Sequence, residues 1–107
     1  MSLSPSQRTL KTLRELGYTV QVTEKWNPWA RRRQDLFGFV DVLCLGDHEI
    51  LGVQCTTMAN KSAHLKKMLE HPNKDAWIRS GAKLQLWCWR PLRTPRLHWE
   101  VDITHIE

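Results

Sequence analysis

The chain has 107 residues, of which 41% are hydrophobic and 25% are charged, and its 16 Lys and Arg outnumber its 11 Asp and Glu to give a net charge of +5. This length and composition are typical of one folded domain, which we expect to span residues 1–107, and they exclude a largely disordered chain. No apolar run approaches the roughly 18 residues of a membrane span and no secretory leader is recognisable, so we expect a cytoplasmic protein whose positive charge favours a polyanionic partner.

The first half of the chain predicts one helix and three strands. Ser4 and Pro5 form an N-cap and first-turn pair, and leucines then recur at helical spacing up to Gly17, which predicts a helix over 5–16. Segments rich in β-branched or apolar residues predict strands at 18–23, 37–45 and 49–56. Residues 26–34 separate the first two strands as a basic, aromatic loop, and Gly46-Asp47 predicts a tight turn between the last two.

The second half predicts another helix and two more strands. Residues 60–70 carry apolar side chains at helical spacing until Pro72 ends or interrupts the helix, and a further short turn is expected at 75–79. Alternating apolar residues predict strands at 83–89 and 97–104. The resulting order, αβββαββ, predicts an α/β fold in which a single central mixed β-sheet is flanked by helices.

Asp41 is the most informative residue, because it interrupts an otherwise apolar strand. An unpaired buried charge costs several kcal/mol, so the fold must supply a partner for it. Gln54 is similarly out of place in the next strand, and the two residues lie at similar distances from the Gly46-Asp47 turn, which would place them opposite each other. Their side-chain oxygens and the backbone carbonyl of Cys55 would suit Mg²⁺ or Mn²⁺.

This arrangement resembles the PD-(D/E)xK nucleases, especially compact Holliday-junction-resolvase-like members. The residues that support the resemblance are Phe39-Val40-Asp41 and Val53-Gln54-Cys55-Thr56. The resemblance implies a restriction-endonuclease-like fold, a Mg²⁺-dependent DNA endonuclease activity and a possible homodimer. It assigns metal binding to Asp41 and Gln54, and it assigns to Thr56 the position of the lysine that orients the attacking water.

Two departures from the family motif leave the catalytic activity open. Gln54 stands in place of the second acid, and Thr56 stands in place of the lysine. A cation that reaches back from the second helix would restore the missing charge, and the candidates are Lys61, Lys66 and Lys67; without it, the site would bind but not cut. Asp35 either joins the acidic site as a catalytic residue or pairs with a cation in its own loop. Glu15 is either a helix-one acid of the site or a solvated ion-pair partner of Lys11.

The basic loop is the candidate nucleic-acid interface. Arg31, Arg32 and Arg33 offer charges for phosphates, and the neighbouring Trp26 and Trp29 offer stacking faces. We expect Lys61, Lys66 and Lys67 to add to this surface, although the arginine run could also be a solvated turn. The remaining tryptophans occupy helix or strand positions where packing is the simpler interpretation: Trp77, Trp87, Trp89 and Trp99.

Three functional classes therefore follow from the sequence. The first is a Mg²⁺-dependent DNA endonuclease, and the second is an inactive nuclease-like module that binds nucleic acid or a protein. The third is a small structural protein in which backbone donors satisfy Asp41. We expect the three cysteines to be buried thiols, because no C-x-x-C pair or clustered histidines favour zinc.

Overall fold

The computed structural model describes residues 3–107. It contains three helices: α1 (Pro5–Glu15), α2 (Lys61–Glu70) and α3 (Lys74–Arg79). The strands are β1 (Thr19–Val22), β2 (Lys25–Asn27), β3 (Arg32–Gln34), β4 (Val42–Gly46), β5 (Glu49–Thr57), β6 (Lys83–Leu92) and β7 (His98–Ile106). A short 3-10 helix, Met58–Asn60, leads into α2. Within residues 3–107, no helix has both the length and the apolar character needed to cross a membrane.

The large sheet is mixed and has the strand order β1-β4-β5-β6-β7. Its β5 and β6 run parallel, while the other neighbouring strands are antiparallel. The parallel pair requires a long crossover, and α2 and α3 provide it. The predicted α/β fold with a central mixed sheet and flanking helices is therefore confirmed.

Helix α1 begins at the predicted N-cap Ser4, which together with Gln7 forms a capping box. The Ser4 hydroxyl accepts a hydrogen bond from the Gln7 peptide N–H at 3.2 Å, and the Gln7 side chain accepts one from the Ser4 peptide N–H at 2.8 Å. The buried Thr9 hydroxyl accepts a hydrogen bond from the Trp89 indole at 2.9 Å, which ties the helix to β6. This anchoring holds the first turn of α1 beside the ends of β5 and β6.

The sheet has two apolar faces, and β5 supplies alternate residues to each of them. Leu51, Val53 and Cys55 belong to the core cluster that packs under α1. Gly52 lies on the opposite face, where it contacts Trp77 of α3. By the same alternation, Gln54 and Thr56 project from the face covered by α2 and α3.

The observed elements differ from the predicted order αβββαββ in two additions. The segment predicted as a basic loop forms the β2–β3 hairpin, and the expected short turn at 75–79 is the helix α3. The strand predicted over 37–45 begins only at Val42, because Phe37 and Gly38 adopt positive φ angles of 55° and 89° and turn the chain. The predicted end of the second helix is correct, since His71 is extended before Pro72.

Candidate metal centre

Asp41 lies directly before β4 and opposite Gln54, as the spacing from the turn predicted. Its side chain is only 5% exposed. The carboxylate oxygen Oδ2 accepts hydrogen bonds from Gln54 Nε2 at 2.7 Å and from the Cys55 peptide N–H at 3.0 Å. Both donors come from β5, so the pairing of the two central strands positions the acid.

Two further acids converge on Asp41. Glu24, Asp35 and Asp41 each offer a carboxylate oxygen, and the three oxygens lie within 4.8 Å of one another. Glu24 is brought there by Thr23, whose peptide N–H and hydroxyl donate to the carbonyls of Asp41 and Val40 at 2.8 and 2.7 Å. Asp35 comes directly after β3, so the two ends of the β2–β3 hairpin carry two of the three acids.

The cluster strongly perturbs the ionisation of Asp41. Burial, a hydrogen bond with Asp35 and the negative charges of Asp35 and Glu24 together raise the pKa of Asp41 to about 8, although the hydrogen bond from the Cys55 peptide N–H acts in the opposite direction. Three carboxylates this close repel one another when ionised, and a divalent cation removes that repulsion. The electrostatics of the cluster therefore favour either a bound proton or a bound cation.

Gln54 supplies the second indication of a ligand. Its side chain is 3% exposed, and its Oε1 is buried without a hydrogen-bond partner among residues 3–107. A buried unsatisfied acceptor typically costs about 1–3 kcal/mol. Gln54 lines the same polar cleft of about 380 Å³ as the three acids. Its amide nitrogen contacts Asp41, which leaves Oε1 as the atom that fits a cation.

Cys55 contacts Asp41 through both its backbone and its sulfur, which lies 3.7 Å from Asp41 Oδ2, and metal binding by its carbonyl stays a prediction. Its peptide N–H faces Asp41, and in a strand the carbonyl of the same residue projects toward the same neighbouring strand. Burial raises the pKa of the Cys55 thiol to about 12, so the sulfur stays protonated and is a poor metal ligand. The donor set of carboxylate, amide and carbonyl oxygens fits a hard cation such as Mg²⁺ or Mn²⁺.

The structure distinguishes the three lysines predicted on the second helix. Lys67 lines the acidic cleft, and its Nζ lies 3.6 Å from Asp35 Oδ2. Lys61 instead pairs with Asp102 of β7 at 2.9 Å, and Lys66 lies on the exposed side of α2. Thr56 is buried at the cleft wall, so Lys67 brings an ammonium group to the region where position 56 lacks one.

Of the predicted nucleic-acid-binding residues, the three arginines and Trp29 lie on the β2–β3 hairpin, whereas the three lysines lie on α2. Arg33 lines the acidic cleft, with its Nε 3.8 Å from Glu24 Oε1, while Arg31 sits in the hairpin turn at a φ of 52°. Arg32 and Arg33 line a second cleft of about 550 Å³, between the hairpin and α2. Trp29, at the hairpin tip, is 96% exposed.

The positions of Glu15 and of the remaining tryptophans test two further predictions from the sequence. Glu15 is exposed in the last turn of α1 and does not line the acidic cleft, which excludes it as a helix-one acid of this site. The tryptophans expected to pack do so: Trp77, Trp87 and Trp89 are buried, and Trp99 is half-buried beneath the Arg8 guanidinium.

Glu24 is the candidate site residue that the sequence analysis missed. The only indication of it in the sequence was its position as an acid next to the basic loop.

We compared the chain with protein-family models, with curated proteins and with solved structures. None of the three comparisons gave a match. The candidate site therefore rests on its own geometry.

Proposed function

We propose that the protein is a metal-dependent nuclease that hydrolyses phosphodiester bonds in DNA, with a restriction-endonuclease-like fold. The observation that carries this proposal is the buried Gln54 Oε1, which has no hydrogen-bond partner in the part of the chain from residue 3 onward, in a cleft where three carboxylates converge within 4.8 Å. Clustered acids alone are common, but an orphaned acceptor in the same cleft provides an additional reason for a cation to bind.

The side chains divide into two roles. Glu24, Asp35, Asp41 and Gln54 would hold the cation, assisted by the Cys55 carbonyl. A divalent cation in such a site neutralises phosphate charge and acidifies water, which is the chemistry that phosphodiester hydrolysis needs. The Lys67 ammonium, beside Asp35, would stabilise the additional negative charge on the phosphate as water attacks. Thr56 is short, which leaves the cleft open toward Lys67.

The order of elements also supports this proposal. Around the site the chain runs through α1, β1, the β4–β5 pair and α2. Asp41 lies directly before β4, and Gln54 lies on β5. This is the order on which the resemblance to PD-(D/E)xK nucleases rests. In this proposal, Lys67 of α2 supplies the positive charge that the lysine of the family motif would provide.

Asp41→Asn tests this proposal. The variant keeps an oxygen that can accept hydrogen bonds from Gln54 and Cys55 but removes the most buried carboxylate. We expect Mn²⁺ binding to weaken by about 100-fold, the upper end of the roughly 10–100-fold loss that removing even an indirect partner of a metal ligand causes. Isothermal titration with Mn²⁺ measures the binding, and cleavage of labelled single-stranded, branched and duplex DNA measures the activity. Asp47→Asn removes the same charge at the exposed β4–β5 turn and should change neither.

The alternative is a nuclease-like module that binds nucleic acid without cutting it. The specific observation in its favour is Thr56, which removes the lysine of the family motif from β5. Mn²⁺ binding that depends on Asp41, together with DNA binding and no cleavage of any substrate, would establish the alternative. Cleavage that is equal in the wild type and in Asp41→Asn would contradict the proposed site itself.

A further inference from the structure

The β2–β3 hairpin presents Trp29 in a fixed position. The Asn27 side-chain oxygen accepts hydrogen bonds from the peptide N–H groups of Trp29 and Ala30 at 2.9 and 3.1 Å. The Asn27 amide also donates to Gln34 Oε1 at 3.0 Å, across the hairpin. These bonds order the turn without burying the indole, which is 96% exposed. An ordered turn that holds a tryptophan in water offers a flat apolar face for a ligand.

The charge around this indole specifies the kind of ligand. Arg31 and Arg32 form no ion pair with any residue between 3 and 107, and Arg33 only approaches Glu24 at 3.8 Å while largely exposed. Three guanidinium groups next to an aromatic face match a ligand that carries both negative charge and flat rings. A nucleic-acid strand has both, and a phosphorylated protein surface lacks the repeated rings.

The hairpin is continuous with the acidic cleft. The cleft of about 550 Å³ between the hairpin and α2 shares Arg33, Asp35 and Lys67 with the acidic cleft. Glu24 and Asp35 directly flank the hairpin in sequence. A DNA strand that places one base on the hairpin tip can therefore lay its phosphates along Arg32, Arg33 and Lys67, and this row of basic residues ends at the three acids.

We propose that the hairpin selects DNA with unpaired bases by stacking one base on Trp29, and that it directs the neighbouring phosphates to the acid cluster. This inference rests on the proposed function for the cleavage step, but not for the binding step. In a duplex the base faces are covered by their neighbours and only base edges are accessible, so an indole at a hairpin tip gains a stacking surface only from unpaired bases. The substrate class is accordingly single-stranded DNA, or a branched DNA with unpaired nucleotides.

The test compares Trp29→Ala with the wild type by fluorescence anisotropy, in EDTA so that no cleavage occurs. The probes are a labelled oligothymidine and a labelled duplex of the same length. We expect Trp29→Ala to weaken binding of the oligothymidine about 5- to 150-fold, as the loss of one stacked base does, and to change duplex binding less than twofold. Trp29→Phe retains an aromatic face and should recover most of the affinity.

Leu97→Ala is the matched control, because it removes another exposed apolar side chain from a loop outside the hairpin and should leave both affinities unchanged. Circular dichroism checks that the variants fold. We expect both to fold, because the side chains of Trp29 and Leu97 are exposed. Equal losses for the two probes, or no loss for either, would overturn the inference. Because the assay contains no metal, a failure of the cleavage proposal leaves this result interpretable, and Asp41→Asn should retain the preference for the single strand.

Discussion

At the scale of single residues, Asp41 shows how a binding function opposes stability. Its carboxylate is buried beside two other acids, and its pKa is raised to about 8 by burial and by the neighbouring Asp35. Gln54 and Cys55 donate to it, yet the Gln54 oxygen has no hydrogen-bond partner within the described residues 3–107. Such features lower the stability of the metal-free protein, and a cation that binds the cluster would restore it.

The pH dependence of stability follows from this raised pKa. Unfolded chains ionise Asp41 near its ordinary value of 3.8, whereas the folded protein retains the proton up to about pH 8. Unfolding between these values releases a proton, so the stabilising contribution is complete below pH 3.8 and is lost as the pH rises through 8. Asp41→Asn should therefore raise the melting temperature at pH 8 in EDTA and change it little at pH 5.

We expect the increase at pH 8 to be at least about 5 °C, because the raised pKa corresponds to more than about 1 kcal/mol and each kcal/mol shifts the melting temperature of a domain of this size by roughly 4–8 °C. Thermal unfolding followed by circular dichroism at both pH values measures it. Added Mn²⁺ should stabilise the wild type and not the variant. A lower melting temperature for Asp41→Asn at pH 8 would mean that the carboxylate is stabilising in its charged form.

At the scale of elements, the close approach of α3 to β5 depends on a glycine. A Cβ atom at Gly52 would lie 2.6 Å from Cζ2 of Trp77 and 2.9 Å from a methyl carbon of Val40. Trp77 is also fixed by its indole N–H, which donates to the Lys83 carbonyl at 3.0 Å. The missing side chain thus allows the outer ring of the indole to contact the strand that carries Gln54 two residues later.

Gly52→Ala should destabilise the fold by about 1–3 kcal/mol, which is typical of overpacking a core. Denaturant unfolding measures the free energy. Phenylalanine at position 77 lacks the outer ring atoms that the new Cβ would meet, so Gly52→Ala should cost less in the Trp77→Phe background. If the cost is the same in both backgrounds, the indole is not what requires glycine at this position.

The sequence predicted the main elements well and the hairpin poorly, for a physical reason. The inner strands β4, β5 and β6 are largely buried, and β1 and β7 add partly buried residues to the core, so their apolar patterns are visible in the sequence. The segment 25–34 is mostly exposed and its strands are held by backbone pairing and the Asn27 side chain, neither of which produces an apolar pattern. Helix α3 has only six residues, too few for a clear helical period.

The candidate site was predictable where strand register alone determined it. Asp41 and Gln54 both interrupt apolar segments at matching distances from one turn, so their pairing followed from the sequence. Glu24 did not follow, because its place depends on the contacts of Thr23 with residues 40 and 41. The choice of Lys67 over Lys61 and Lys66 depends on the rotation of α2 about its axis, which a short lysine-rich helix leaves undetermined.

At the scale of the whole molecule, the net charge of +5 is less informative than its distribution. Arg31, Arg32 and Arg33 lie on the hairpin next to the acidic cleft, together with Lys67. Other cations lie toward the opposite end of the sheet: Arg14 in the last turn of α1, Arg79 at the end of α3 and Lys83 at the start of β6. The three hairpin arginines and the three distant cations carry the same formal charge of +3, so replacing one set or the other distinguishes local contacts with DNA from a general electrostatic attraction.

The salt dependence of DNA binding distinguishes the two groups. Replacing Arg31, Arg32 and Arg33 together with Ala should weaken binding of single-stranded DNA. It should also lower the slope of log K against log salt by about 2, since each lost phosphate contact removes roughly 0.7. Replacing Arg14, Arg79 and Lys83 with Ala removes the same charge and should leave the slope nearly unchanged. Equal slopes for the two triple variants would show that net charge, and not the hairpin, governs binding.

The position of Glu24 and Asp35 at the two ends of the hairpin has a consequence for how this protein can diversify. The residues between them form their own small sheet, apart from the five-stranded one. Exchange of that segment for another of similar end-to-end span would leave both carboxylates attached to the same framework. Replacement of the hairpin, by design or in evolution, could therefore change the substrate preference and leave the acidic residues of the site in position.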